Sequence, residues 1–309
     1  MNDSSAPENT RRTPSLKREL VLLVTALAVP LVALQAWWGY HDYELARESA
    51  ETDALAFADA TALGVLQFFA QTEEMMTATA DQFGPEGFTG ENCTKHVETM
   101  AGLFPFLRNA LVVGPDGLVV CSHVETPGQI SAVEWRWWDE VRTDPVFTIG
   151  EPLEADITGV WILPVIAPLT DEAGAFAGAL VGAIELVRLS RYFGTLNLPE
   201  EHLVTVATAD RVVIARSHDA ESRVGSSLPE LTGSDREVRP GRWVATGPDL
   251  SGGPRTWGQV AVPPGWIIYV GVPDEGVYGP ALQEALGHLA LTLLVVFLAV
   301  LLAGHSYRD

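Results

Sequence analysis

Positive charge is scarce in this sequence. Lys and Arg together number 19 against 40 Asp and Glu, a formal net charge of −21. An acidic surface of that size argues against nucleic acid or anionic lipid as a partner, because both would repel it. Solubility is the plain reason for it. Cysteine is nearly absent as well. The two present, Cys93 and Cys121, belong to no Cys/His cluster with zinc spacing, which argues against a structural metal site. Catalytic signatures are missing too: the seven His are scattered, and there is no His-Glu-x-x-His, Gly-x-Ser-x-Gly or Walker-type loop. Ser122-His123 and Ser217-His218 are adjacent pairs, but neighbours on a strand point apart, so loop polarity explains them better than a nucleophile and its base. The chain reads as a non-enzyme with no cofactor.

Long apolar runs, by contrast, are present twice. Residues 20–40 (LVLLVTALAVPLVALQAWWGY) carry no charge, and residues 285–304 (ALGHLALTLLVVFLAVLLAG) have His288 as their one titratable group. Each has about 20 residues, the length of a helix that crosses a hydrocarbon core. Pro30 is tolerable within such a span. The first run exceeds the roughly 7–15 residues of a secretory signal, and Leu34-Gln35-Ala36 is a poor cleavage site, so it reads as an uncleaved anchor. Arg11, Arg12, Lys17 and Arg18 precede it, whereas Asp42, Glu44, Glu48, Glu51 and Asp53 follow it. The basic side stays cytoplasmic, which sends residues 41–280 outside and returns the C-terminus to the cytoplasm. Trp37, Trp38 and Tyr40 then mark the outer interface, with Tyr278 their counterpart before the second span. The segments are thus a tail (1–19), a first transmembrane helix (20–40), the exported part, a second transmembrane helix (285–304) and a tail (305–309). Both cysteines fall in the exported part, where an oxidising compartment favours a bridge over two free thiols.

The exported part opens with a long helix, 41–83, free of Pro and rich in Ala, Glu, Leu and Gln. Leu55, Ala62, Phe69 and Met76 recur every seven residues with Leu66 beside them, one stripe for packing on the domain or on a second copy. Asp59 and Glu73 interrupt that seam, which favours the domain over a continuous coiled coil. Gly84-Pro85 ends the helix. A shorter helix follows at 91–103. Next, 109–113 and 118–122 flank Gly114-Pro115-Asp116-Gly117, a strong hairpin signal. Residues 135–142 (WRWWDEVR) form a short helix over the sheet, and strands are expected at 146–149, 160–168 and 178–187. The pattern then recurs: 203–207 and 211–217 repeat the hairpin, and 243–246, 256–262 and 266–272 close the second module. The fold class is α+β, with two successive modules of five-stranded antiparallel sheet.

In that order and spacing the chain resembles the double-Cache sensor domains, the PAS-like extracytoplasmic tandems of bacterial chemoreceptors, histidine kinases and diguanylate cyclases. The resemblance covers 41–280. It rests on the long helix after the first span, 111–122 (LVVGPDGLVVCS), Arg136-Trp137-Trp138, 156–168 (DITGVWILPVIAP), 178–186 (GALVGAIEL), 211–217 and 265–273 (GWIIYVGVP). Relatives with a cysteine before the first hairpin and another at its end match Cys93 and Cys121. The family implies a membrane-distal module, 84–195, that holds a ligand, and a membrane-proximal module, 196–280, that relays to the second span. In amino-acid-binding relatives an Arg-x-aromatic-aromatic motif grips a carboxylate, and a later Asp takes the amino group. Arg136 and Trp138 match; Asp139 stands where an aromatic is expected, and Glu185 where the Asp is. The expected ligand is therefore a small carboxylate or amine, with Asp156 and Trp161 as further candidates. Guanidinium pairs with carboxylate bidentately, and a buried Glu holds an ammonium. The tryptophans would equally serve as core, Arg136 as a solvated charge, and Asp156 as a turn cap.

These residues imply a membrane-anchored sensor. Its expected partners are a small-molecule ligand, the lipid bilayer, a second copy of the chain through the long helix and spans, and an effector kinase or cyclase. Because only 305–309 follow the second span, the effector is a separate polypeptide or the chain is part of a longer architecture. A structural co-polymerase of polysaccharides, or a solute-binding subunit of a transporter, is the alternative.

Overall fold

The computed structural model describes residues 16–126, 128–156, 158–194, 199, 201–228 and 235–305. Arg11 and Arg12, and the last four residues of the C-terminal tail, lie outside the described residues. The chain divides into two units, 50–273 and the two segments that flank it.

Helix α1 (Leu16–Gly87) is broken near its end at Gly84, whose φ of 57° and ψ of −178° suit a residue without a Cβ. Within 50–273 its buried face runs Ala50, Ala54, Ala58, Thr61, Val65, Phe69, Thr72, Met76 and Ala80. The steps are 4, 4 and 3, repeated, a period of 11 residues or about 3.67 per turn, which keeps one face aligned along a nearly straight helix. The sevenfold stripe of the sequence reading drifts off this face. Ala62, Phe69 and Met76 are buried, but Leu55 is half-buried and Leu66 is 39% exposed. The buried face is made mostly of small residues because sheets come close to it. A Cβ on Gly258 would lie 2.4 Å from the carbonyl carbon and oxygen of Ala54, and Phe69 meets Trp266 edge-on at 5.0 Å. Asp59, a break in the seam, pairs with Arg242 at 2.7 Å, and Glu51 pairs with Arg236.

The first sheet is built from β1 (Leu107–Val113), β2 (Val119–Ser122), β3 (Thr148–Ile149), β4 (Leu153–Glu154), β5 (Trp161–Thr170) and β6 (Phe176–Glu185). Its order is β2-β1-β6-β5-β3, with β4 also on β5, so it has six strands rather than five. The expected hairpin pairs Leu111 with Ser122. Alternation divides the sheet into two faces. Ala110, Val112, Leu163, Val165, Leu180 and Ile184 join α1 and helix α2 (Gly90–Leu103) in the main core, while Leu111, Ile166 and Val181 pack beneath Trp137, Trp138 and helix α3 (Trp138–Thr143). A disulfide between Cys93 and Cys121, Cα atoms 6.0 Å apart, joins α2 to β2. The expected strand 178–187 stops at Glu185, and helix α4 (Leu186–Gly194) follows. Leu186, Leu189, Ser190 and Phe193, at helical spacing, form its buried face.

The second sheet repeats the plan with β7 (Leu203–Ala207), β8 (Val213–Arg216), helix α5 (Ala220–Arg223), then β9 (Arg236–Arg239), β10 (Arg242–Pro248), β11 (Pro254–Val262) and β12 (Trp266–Pro273). Its order, β8-β7-β12-β11-β10-β9, again has six strands, β9 being the one the sequence reading lacks. In both sheets the opening hairpin sits at one edge and the last strand lies beside the first.

The flanking unit contains residues 16–49 of α1 and helix α6 (Asp274–His305). Each helix holds a stretch long and apolar enough to cross a membrane. Within this unit Gln35 Nε2 donates to Thr292 Oγ1, Gly39 lies against Ala285, and Tyr43 stacks on Tyr278 at 5.0 Å. As the first number of each pair rises the second falls, so the two stretches run antiparallel.

Three measurements check this packing. Gly258→Val should destabilise the domain by about 1–3 kcal/mol in thermal denaturation, because a side chain there displaces the α1 backbone. Reducing the Cys93–Cys121 bridge should lower stability by about 3.5 kcal/mol, the loop-entropy expectation for its span. The third concerns His202, whose ring meets Phe57 edge-on at 4.7 Å and whose Nδ1 is buried without a partner among the described residues. Burial holds its imidazole below the ordinary range. As pH falls through about 6.5 the unfolded chain takes up this proton before the folded one, so stability present above that pH is lost on acidification. Midpoints recorded from pH 7.5 to 5.5 should fall less steeply for His202→Gln than for the parent.

Candidate functional site

The outer face of the first sheet, away from α1, carries a cavity of 800 Å³. Its floor is apolar: Leu111 from β1, Ile162 and Pro164 from β5, and Val181 and Ala183 from β6. These positions share a face because alternate residues of neighbouring strands do. One polar side chain stands among them. Asn109 is 2% exposed, and its amide bonds Ser122 Oγ at 3.0 Å while its carbonyl accepts from the Val124 amide at 3.1 Å.

Two segments wall the cavity. The first leads into α3, where the Trp135 amide bonds Ala132 O and the Trp138 amide bonds Trp135 O, both at 2.9 Å. These turns set Trp135, Arg136 and Trp137 over the floor. The second is the loop between β4 and β5. The Ala155 amide bonds Val160 O at 2.9 Å and the Gly159 amide bonds Ala155 O at 2.7 Å, a tight turn that places Asp156 and Thr158 beside the floor. Thr158 Oγ1 is buried and has no partner among the described residues, an unusual state for a buried hydroxyl and one that a bound group would relieve. The charged lining consists of Arg136, Glu134, Glu151 and Asp156, one cation against three carboxylates. Arg136 is paired with Glu151, and both side chains are largely exposed, at 80% and 65%.

The structure brings two of the five sequence candidates to this cavity, Arg136 and Asp156. The other three lie elsewhere. Trp138, the first residue of α3, is buried edge-on to Phe176 at 5.5 Å and does not line the cavity. Trp161 precedes Ile162 on β5, so alternation turns it to the opposite face, where its indole packs against Gly225 of the second module. Glu185 shares the face of Val181 and Ala183, but its carboxylate is held by Arg188 Nε at 2.9 Å. Arg188 in turn bonds the carbonyls of Pro105 and Leu107, so this pair fastens β6 to the start of β1. Asn109, Glu151 and Thr158 were missed from the sequence. Asn109 was findable, since it precedes Leu111 by one alternation; the other two depend on how the β4–β5 loop folds back. For Trp135 and Trp137 the sequence leaves core and pocket open; both line the cavity, and Trp137, 5% exposed, serves the core as well.

No protein-family model matches the sequence, and none of the curated proteins matches it. Solved structures do. The extracellular domain of the histidine kinase rpHK1S-Z16 superposes with a TM-score of 0.62 at 15% identity, covering 76% of this chain and 99% of that one. The ligand-binding domain of the Pseudomonas fluorescens chemoreceptor CtaA, in complex with L-serine, gives 0.58 at 15% identity over 74% and 99%. That of the Pseudomonas aeruginosa amino acid chemoreceptor PctB, in complex with L-Arg, gives 0.58 at 17% over 75% and 98%. With its long N-terminal helix and two like-ordered antiparallel sheets, this chain has the two-module fold of the extracellular Cache sensor domains.

Proposed function

We propose that the chain is a membrane-anchored extracytoplasmic sensing module whose first-sheet cavity binds a small molecule bearing an ammonium group, an amino acid being the class that uses both charges of the lining. The observation that carries this is the cavity itself: an apolar and aromatic floor and wall, with a few convergent polar groups at one side. Three carboxylates line the cavity, and an ammonium would find its counter-charge among them. Arg136, now paired with Glu151, would exchange that partner for a ligand carboxylate, a bidentate match. Thr158 Oγ1 would gain an acceptor. The solved relatives with L-serine and L-Arg bound support the class.

In this reading binding acts by population shift. Ligand draws the α3 segment and the β4–β5 loop together over the floor, and the sheet beneath them packs on α1. The chain would sit in a bacterial inner membrane with both ends cytoplasmic, as the basic residues before the first apolar stretch support. It would dimerise through α1 and the spans, and drive a kinase or cyclase. It would bind its ligand without turning it over. The co-polymerase alternative calls for a long helix in the middle of the exported part, and this fold, with α1 ahead of both sheets, does not favour it.

The test is a thermal-shift screen of the whole chain in detergent against L-amino acids, primary amines and short carboxylates. A ligand specific to the native state raises the midpoint. At least one ammonium-bearing compound should do so, and Arg136→Ala and Asp156→Asn should each weaken it about tenfold, while Trp138→Phe leaves it in place. Hits indifferent to both Arg136→Ala and Asp156→Asn would overturn the site.

A further inference from the structure

The second module has its own cavity, 420 Å³, in the corresponding place: the face of its sheet turned away from α1. Its lining includes Trp243, Trp257, Ile267 and Tyr269, with one residue of unusual state among them, Arg216 at the end of β8. Arg216 is 3% exposed. Its register partner Thr205 accepts a hydrogen bond from Nη1 at 3.0 Å, and its Nε has no partner among the described residues. No ion pair forms on it among the described residues.

Arg211 also lines this cavity, together with Asp235, Glu237 and Asp249, and among the described residues none of these three carboxylates bonds Arg216. Asp249 accepts from Arg255 Nε at 2.8 Å and from the amides of Ser251 and Gly253. Asp235 accepts from Gln259 Nε2 at 3.2 Å, and Glu237 from the Gly241 amide at 3.3 Å. Arg216 is thus a buried cation facing a cavity with donors to spare. The Asp249 charge favours the guanidinium from nearby without bonding it, and burying a charge with no direct ion pair is costly. Burial also pushes its pKa down from the ordinary guanidinium value, as expected of a cation that the fold alone solvates poorly.

We propose that this cavity is a second ligand site, which takes a small carboxylate on Arg216 with its apolar part against Trp243 and Trp257. A guanidinium suits a carboxylate in geometry as well as charge, and the aromatic walls exclude the water that would otherwise compete. The volume is within the range of small-molecule sites, at the low end of roughly 300–1,000 Å³. The inference does not rest on the reading of the first cavity: it stands on a different group, a buried guanidinium, and calls for an anion there. Two sites on one sensor would let a second metabolite alter the response to the first.

The experiment uses the whole chain in detergent, titrated with propionate and phenylacetate and, as uncharged controls, their amides, read by thermal midpoint and tryptophan fluorescence. At least one carboxylate should raise the midpoint saturably while its amide does not. Arg216→Gln should weaken that effect at least about tenfold, as loss of a buried charge pair does, and Arg136→Ala in the first cavity should leave it unchanged. If Arg216→Gln does not fold, Trp243→Ala, which changes a half-buried wall, should weaken binding while the ligand-free midpoint stays near that of the parent. Three results overturn the proposal: neither carboxylate acts; the effect follows Arg136 instead; or it survives Arg216→Gln or, where that variant is unfolded, Trp243→Ala.

Discussion

The approach of β11 to helix α1, so close that a Cβ on Gly258 would strike the Ala54 carbonyl, sets much of what surrounds it. A helix can lie this near a sheet only where both present small residues, and α1 does so with Ala50, Ala54, Ala58 and Thr61. Further along, where Phe69 and Met76 take over, the same face serves the first sheet, with Met76 beside Gly182. One helix therefore closes the inner faces of two sheets into a continuous core. The period of 11 is the geometric condition for this, since a strict repeat of seven would wind the apolar stripe away from one sheet before it reached the other.

With both inner faces taken by α1, each outer face must be covered by its own module. Neither module has enough chain for a second layer. The first uses one short helix and the β4–β5 loop, and the second uses residues of β9, β10 and the β10–β11 turn. Partial cover over a twisted sheet leaves a hollow, so the two cavities share one architectural origin. Their chemistry differs in the polar group each holds buried: the Asn109 amide in the first, the Arg216 guanidinium in the second.

Partly buried charged residues at the joints act as fasteners. Arg188 ties the end of β6 to β1 through Glu185 and two carbonyls. Arg255, with Asp249, fastens the β10–β11 turn to β12 through the Gly271 carbonyl. Such groups are held in place by several bonds at once, and breaking one partner strands the other. This is why Glu185, a ligand candidate by sequence, is spent on structure.

Much of the fold was legible from local signals. The apolar runs, the long proline-free helix, both hairpins and most strands follow from composition, turn residues and alternation, which depend on near neighbours alone. β4 and β9 were not legible, because short edge strands of two and four residues exist only by pairing with a neighbour. Helix α4 carried a signal, Leu186, Leu189 and Phe193 at helical spacing, but the preceding strand pattern overran it. At the site, residue type was readable and direction was not. Arg136 and Asp156 reach the cavity, while Trp138 and Trp161, equally plausible by type, turn into the core. By itself the sequence determined which segments become helix and strand and that two like modules follow one another, since period and turn chemistry are local. Only the tertiary structure decided which face of each sheet meets α1, and so which side chains are left to line a cavity, because that choice rests on contacts between residues far apart in the chain.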